Sequence, residues 1–151
     1  MRRFLRPFFV VLALIAGGLT ATVATAAPGI PIYRAHVQNV GWLPNTEPTL
    51  VGDIAGLPGS GLRVEALQVS RDIQLQAHVQ NVGWMAPVTP DGVAGTTGRS
   101  LRLEAIKAVS MIPGYHVECE AIVPGAGTIR VGDGGVCGTT GRSLLVEAFR
   151  L

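Results

Sequence analysis

Ala35-His36-Val37-Gln38-Asn39-Val40-Gly41-Trp42 recurs without a change as Ala77-His78-Val79-Gln80-Asn81-Val82-Gly83-Trp84. Further along, Gly95-Thr96-Thr97-Gly98-Arg99-Ser100 recurs as Gly138-Thr139-Thr140-Gly141-Arg142-Ser143. Each copy then runs into a strand-like tail: Leu62-Arg63-Val64-Glu65-Ala66-Leu67, Leu101-Arg102-Leu103-Glu104-Ala105-Ile106 and Leu144-Leu145-Val146-Glu147-Ala148-Phe149. Self-similarity at a fixed spacing marks a repeat architecture. The units run from about 32–70, 73–110 and 113–151, with no flexible linker between them. Unit 2 carries both signatures. Unit 1 has Gly56-Leu57-Pro58-Gly59-Ser60-Gly61 in place of the second, and in unit 3 a segment from Tyr115 to Pro124 replaces the first.

The apolar residues alternate with period two. Ala77 and Val79 share a face, and Val82 and Trp84 share one a step out of phase, so one bulge near Asn81 would align all four. The later strand sets Leu101 and Leu103 against Arg102 and Glu104, then slips near Ala105. Val, Ile and Leu runs between Gly, Pro, Asp and Thr clusters read as strands, and no capped helical stripe interrupts them. The expected fold is all-β. A unit of about 40 residues buries too little surface to fold alone. The three units are therefore expected to close around a pseudo-threefold axis, as a β-prism or alternatively a β-trefoil. Two strong strands and one weak one per unit favour the prism.

Upstream of the repeats, residues 1–26 form a different segment. Arg2, Arg3 and Arg6 precede the apolar run Pro7–Ala16, and Ala24-Thr25-Ala26 supplies small residues for cleavage. This is the pattern of a secretory signal peptide, cut after Ala26. The apolar run is shorter than the roughly 18–20 residues of a membrane span, so residues 27–151 are expected to be released or held at the envelope without a membrane anchor. Without those three arginines, twelve Lys+Arg against ten Asp+Glu become nine against ten, a net −1. Nucleic-acid binding through a basic face is not expected.

The pattern H-V-Q-N-V-G-W, the loop G-T-T-G-R-S and the tail L-R-L-E-A-I resemble the clostridial hydrophobic repeat with a conserved tryptophan, the ChW repeat. The resemblance is full in unit 2, good in unit 1 and partial in unit 3, which lacks the tryptophan. It implies a secreted or surface-associated binding module, with carbohydrate or cell-surface attachment as the usual proposal. The alanine- and arginine-rich composition, with Lys107 the only lysine, points to a high-GC actinobacterial source rather than a clostridial one.

Trp42 and Trp84 are the only tryptophans. An exposed indole stacks on the C–H face of a sugar ring, with His36, Gln38, Asn39 and their copies His78, Gln80, Asn81 as polar partners. Against this stands a core role, favoured because a tryptophan buries a large area. Arg99 and Arg142 sit in loops that serve either as a binding rim for acidic sugars or as turns setting the next strand, the simpler reading. Glu65, Glu104 and Glu147 recur in what should be one environment. They are expected to form inter-strand or inter-unit salt bridges at a repeated junction, since catalysis needs two carboxylates in different settings. No catalytic residue, metal site or cofactor is expected; His36, His78 and His116 lack metal-ligand spacing. Cys119 and Cys137 are expected to form a disulfide in an exported protein, stabilising by about 3 kcal/mol. The partner expected is a cell-wall or extracellular glycan, with an envelope protein as the alternative.

Overall fold

The alternation in Ile73-Gln74-Leu75-Gln76-Ala77-His78-Val79 appears directly in the structure, with Ile73, Leu75, Ala77 and Val79 buried and the residues between them half-exposed. The computed structural model describes residues 32–43 and 53–151, and the expected signal peptide lies outside them. The same two-residue period orders Tyr33–Val37 (β1) and Cys119–Val123 (β9). Ile73–Val79 is β5. After each of these comes a tight turn and a return strand: Gly41–Trp42 (β2), Gly83–Trp84 (β6) and Gly127–Val131 (β10). Short third strands follow, Ala55–Gly56 (β3), Val93–Gly95 (β7) and Cys137–Gly138 (β11). The last strand of each unit is Val64–Val69 (β4), Leu103–Ser110 (β8) or Ala148–Arg150 (β12). The described chain is all-β and holds no helix.

The interruption near Asn39 and Asn81 is a turn, not the bulge expected from the alternation. Val40 N donates to Val37 O at 3.1 Å and Val82 N to Val79 O at 3.0 Å, so the chain reverses there. Asn39 and Asn81 adopt φ of 62° and 60°, and the matching position in unit 3 is Gly125 at 85°. Pro124-Gly125 and Gln-Asn thus solve one problem, a left-handed residue at the third position of a turn. Trp42 and Trp84 consequently fold back beside His36 and His78 instead of continuing the strand. The bulges sit on the facing strands. Pairing skips from Ala66 to Val64 and from Ala105 to Leu103, leaving Glu65 and Glu104 as the extra residues. This is the slip that the sequence carries near Ala105.

The strands assemble into three antiparallel four-stranded sheets, β2-β1-β4-β7, β6-β5-β8-β11 and β10-β9-β12-β3. Each sheet takes three strands from its own unit and one from another. Unit 2 lends β7 to unit 1, unit 3 lends β11 to unit 2, and unit 1 lends β3 to unit 3. The exchange closes on itself, so no unit completes its own sheet. Nor do the sheets merge into a closed barrel among the described residues.

The lent strands fit only because each carries a glycine. A Cβ on Gly95 would stand 2.5 Å from Glu65 O, one on Gly138 2.4 Å from Glu104 O, and one on Gly56 2.2 Å from Glu147 O. The next amide closes each junction: Thr96 N, Thr139 N and Leu57 N donate to those same carbonyls at 3.0, 2.9 and 3.0 Å. Leu67, Ile106 and Phe149 fill matching core positions, as do Val64, Leu103 and Val146.

Cys119 and Cys137 form the expected disulfide. It joins β9 to β11, strands of different sheets. By register Cys119 matches Tyr33 and Leu75, while Cys137 matches Ala55 and Ala94. The bridge therefore stands where the other copies pack a large side chain against a small one.

Candidate functional site

In unit 2 the β5–β6 turn brings Trp84 back across from His78. The imidazole and indole meet edge to face, with centroids 5.2 Å apart and planes at 77°. Nδ1 of His78 is buried and faces Glu104 Oε2 at 3.1 Å, outside hydrogen-bond geometry. The bulge at Glu104 is what brings its carboxylate here. Its other oxygen, Oε1, accepts hydrogen bonds from Arg102, with Nε at 2.9 Å and Nη2 at 2.8 Å. Over the indole stands Lys107, with Nζ 4.8 Å from the ring centroid.

Unit 1 repeats the arrangement. His36 and Trp42 lie 5.4 Å apart at 83°, and His36 Nδ1 faces Glu65 Oε2 at 3.4 Å. Arg63 Nη2 donates to Glu65 Oε1 at 2.8 Å. Arg34 Cζ stands 4.6 Å from the Trp42 centroid.

The two indoles lie outside the core. Trp84 is 37% exposed and Trp42 is half-buried, which corrects the core role favoured from the sequence. Because the chain turns at Asn39 and Asn81, the tryptophan lands on the outer face with the histidine. In unit 3 the disulfide stands at the positions that Tyr33 with Ala55 and Leu75 with Ala94 hold in the other copies.

The remaining sequence candidates fall in different places. Gln38 and Gln80 lie at the start of the turn; Gln80 Oε1 accepts the Arg102 amide at 3.4 Å. Asn39 and Asn81 are exposed turn residues whose identity the positive φ accounts for. Arg99 and Arg142 are exposed in their loops. Among the described residues, none of the hydrogen bonds or ion pairs around the indoles involves either of them. The structure instead brings in Arg34, Arg63, Glu65, Arg102, Glu104 and Lys107. Period-two alternation puts Arg34 on the face of His36, but assigning Lys107 to Trp84 needs the β5–β8 register, which pairs it with Gln76.

Unit 3 builds no such site. By register, Ile122 replaces the histidine and Thr128 the tryptophan, and Leu145 replaces the arginine. Glu147 has lost both side-chain partners. Its carboxylate accepts backbone bonds from Gly59 N at 2.6 Å and Gly61 N at 2.7 Å instead. The arginine–glutamate salt bridges of units 1 and 2 are thus local, between residues two apart, and not the inter-strand or inter-unit bridges expected; Glu147 has none among the described residues. His116 lies away from the site, with Nδ1 3.9 Å from Asp133 Oδ2. Among the described residues no cluster of His, Cys, Asp and Glu could hold a metal ion.

An all-β repeat module with two copies of a partly exposed indole site is the class these features define. The family model "Clostridial hydrophobic W" matches residues 36–71 and 78–108, the two units that carry the site. The chain therefore carries two ChW repeats. No curated protein and no solved structure matches it.

Proposed function

We propose that the protein is an exported, non-catalytic module that binds cell-wall or extracellular carbohydrate through its two indole sites. The observation that carries this reading is the exposure of Trp84, a residue large enough to anchor a core yet held at the surface. A ring held edge to face against a histidine is restrained, so less side-chain entropy is lost when a sugar stacks on it. The ion-paired Arg–Glu couple lies behind the histidine. Sites Trp42 with His36 and Trp84 with His78 are the contacts proposed, with Gln38, Gln80, Asn39 and Asn81 at the rim and Arg99 and Arg142 on the loops. No catalytic step is assigned to either site, since each Glu is matched by an arginine and lacks a second carboxylate partner.

Residues 1–26 would direct export, with the repeat domain, 27–151, acting outside the cell or on its wall. The cyclic strand exchange supports a prism of three sheets about a pseudo-threefold axis, more than a trefoil built on a barrel. Binding of the purified protein to a glycan array and to immobilised wall polysaccharide tests the reading. Retention by at least one glycan, lost on Trp42→Ala plus Trp84→Ala, is the expected result. Absence of any retention would overturn it.

A second reading, attachment to an envelope protein, is favoured by Val40 and Val82, which are 48% and 45% exposed at the turn tips beside the indoles. In that case a protein partner would be captured from envelope extracts and lost on Val40→Ser plus Val82→Ser.

A further inference from the structure

Resting on the glycan reading above, we infer that the Trp84 site selects carboxylate-bearing sugars, and that Lys107 is the residue that recognises the acid. One cross-strand pair recurs in all three sheets. In unit 1 it is Arg34 opposite Gln68, in unit 2 Gln76 opposite Lys107, and in unit 3 Glu120 opposite Arg150. Between units 1 and 2 the cation and the amide have changed strands, yet both arrangements set a positive group over an indole, at 4.6 and 4.8 Å. A cation supplied from either strand is a property of the site rather than of one residue.

Unit 3 supplies the contrast. Where Thr128 stands in place of the tryptophan, the amide is replaced by Glu120, which accepts Arg150 Nη1 at 3.3 Å and Arg130 Nε at 2.6 Å. In the copy that has no indole, the cation of the pair, Arg150, is held by a carboxylate. In unit 2 the cation has no such partner among the described residues. Glu104 is engaged by Arg102, Gln76 is neutral and donates to Met85 O at 3.0 Å, and Lys107 makes no ion pair with a described residue. A lysine ammonium is a point charge on a flexible four-carbon stem with three rotatable donors. It can leave the ring face to meet a carboxylate at the edge of a sugar stacked on the indole. A neutral sugar offers it only hydroxyl oxygens, weaker acceptors than a carboxylate.

Paired probes test this: carboxylate-bearing oligosaccharides on an array, each beside its carboxyl-esterified neutral counterpart. The protein is used with Trp42→Ala, so that only the unit 2 site reads out, and Lys107→Gln, Lys107→Arg and Trp84→Ala are added singly. The acid forms should bind about tenfold or more tightly than their esters, as a charge-assisted hydrogen bond confers. Raised salt should shrink the difference, Lys107→Gln should abolish it, and Lys107→Arg should retain most of it. Equal binding of acid and ester, lost with Trp84→Ala but unmoved by Lys107→Gln, would overturn the acid selection and leave the glycan reading standing. No binding of any of these probes would overturn the acid selection, and loss of the glycan reading as well would require that the unsubstituted protein is retained by no glycan or wall polysaccharide.

Discussion

At the scale of single residues, the tryptophan of units 1 and 2 and the glutamate of all three units are best understood by what surrounds them. Trp84 touches a histidine edge and a lysine and little of the core, whereas Leu103 is fully buried. Trp84→Ala should therefore cost only about 1 kcal/mol, the scale of an exposed cation–π contact. Leu103→Ala should cost about 2–5 kcal/mol. Urea denaturation of both variants checks the contrast; equal losses would mean that the indole is a core residue after all. Glu147 shows the complementary case. Losing the arginine and histidine would strand a buried carboxylate, a costly state, and the loop amides of Gly59 and Gly61 accept the role instead. Placing Leu145→Arg in that setting should not stabilise the protein, because Glu147 is already satisfied; a thermal melt is the measurement.

At the scale of elements, the glycine of each lent strand and the bulge of each receiving strand form one joint. The φ of Gly95, 113°, already disfavours any side chain. The carbonyl of Glu65 and the backbone of Ala66 then leave no room for one. Gly95→Ala should destabilise by well over about 1 kcal/mol, beyond the usual cost of a positive-φ alanine, and Gly98→Ala, with open space around it, by less. Paired chemical denaturation curves decide. The disulfide belongs to this scale too, since it ties β9 to a strand of a neighbouring sheet. Cys119→Ala with Cys137→Ala should lower stability by about 2–5 kcal/mol, visible as a fall in midpoint matched by the wild type under reductant.

At the scale of the whole molecule, cyclic strand exchange makes the three units interdependent. A peptide spanning 73–110 lacks β11, the outer strand of its sheet, and has no sheet to receive β7. It should give a disordered circular dichroism spectrum, where the full chain gives a β spectrum. A folded isolated unit would mean that the units are beads on a string. Two sites on one rigid module also predict avidity. Removing either indole alone should weaken binding to a polymeric glycan far less than removing both, because the second contact is made at high effective concentration.

The repeated octapeptide, the alternation of Ile73 to Val79 and the cysteine pair were enough to determine strands, three units and the disulfide, because these depend on local period and on cysteine chemistry. The pairing of Lys107 with Trp84, the turn at Asn81 and the loan of β7 to another unit depend on which strand lies beside which. Register and strand order are set by packing across the whole chain, so only the tertiary structure decided that the tryptophans stand outside the core. It also decided that each carries a cation, supplied from a different strand in each copy.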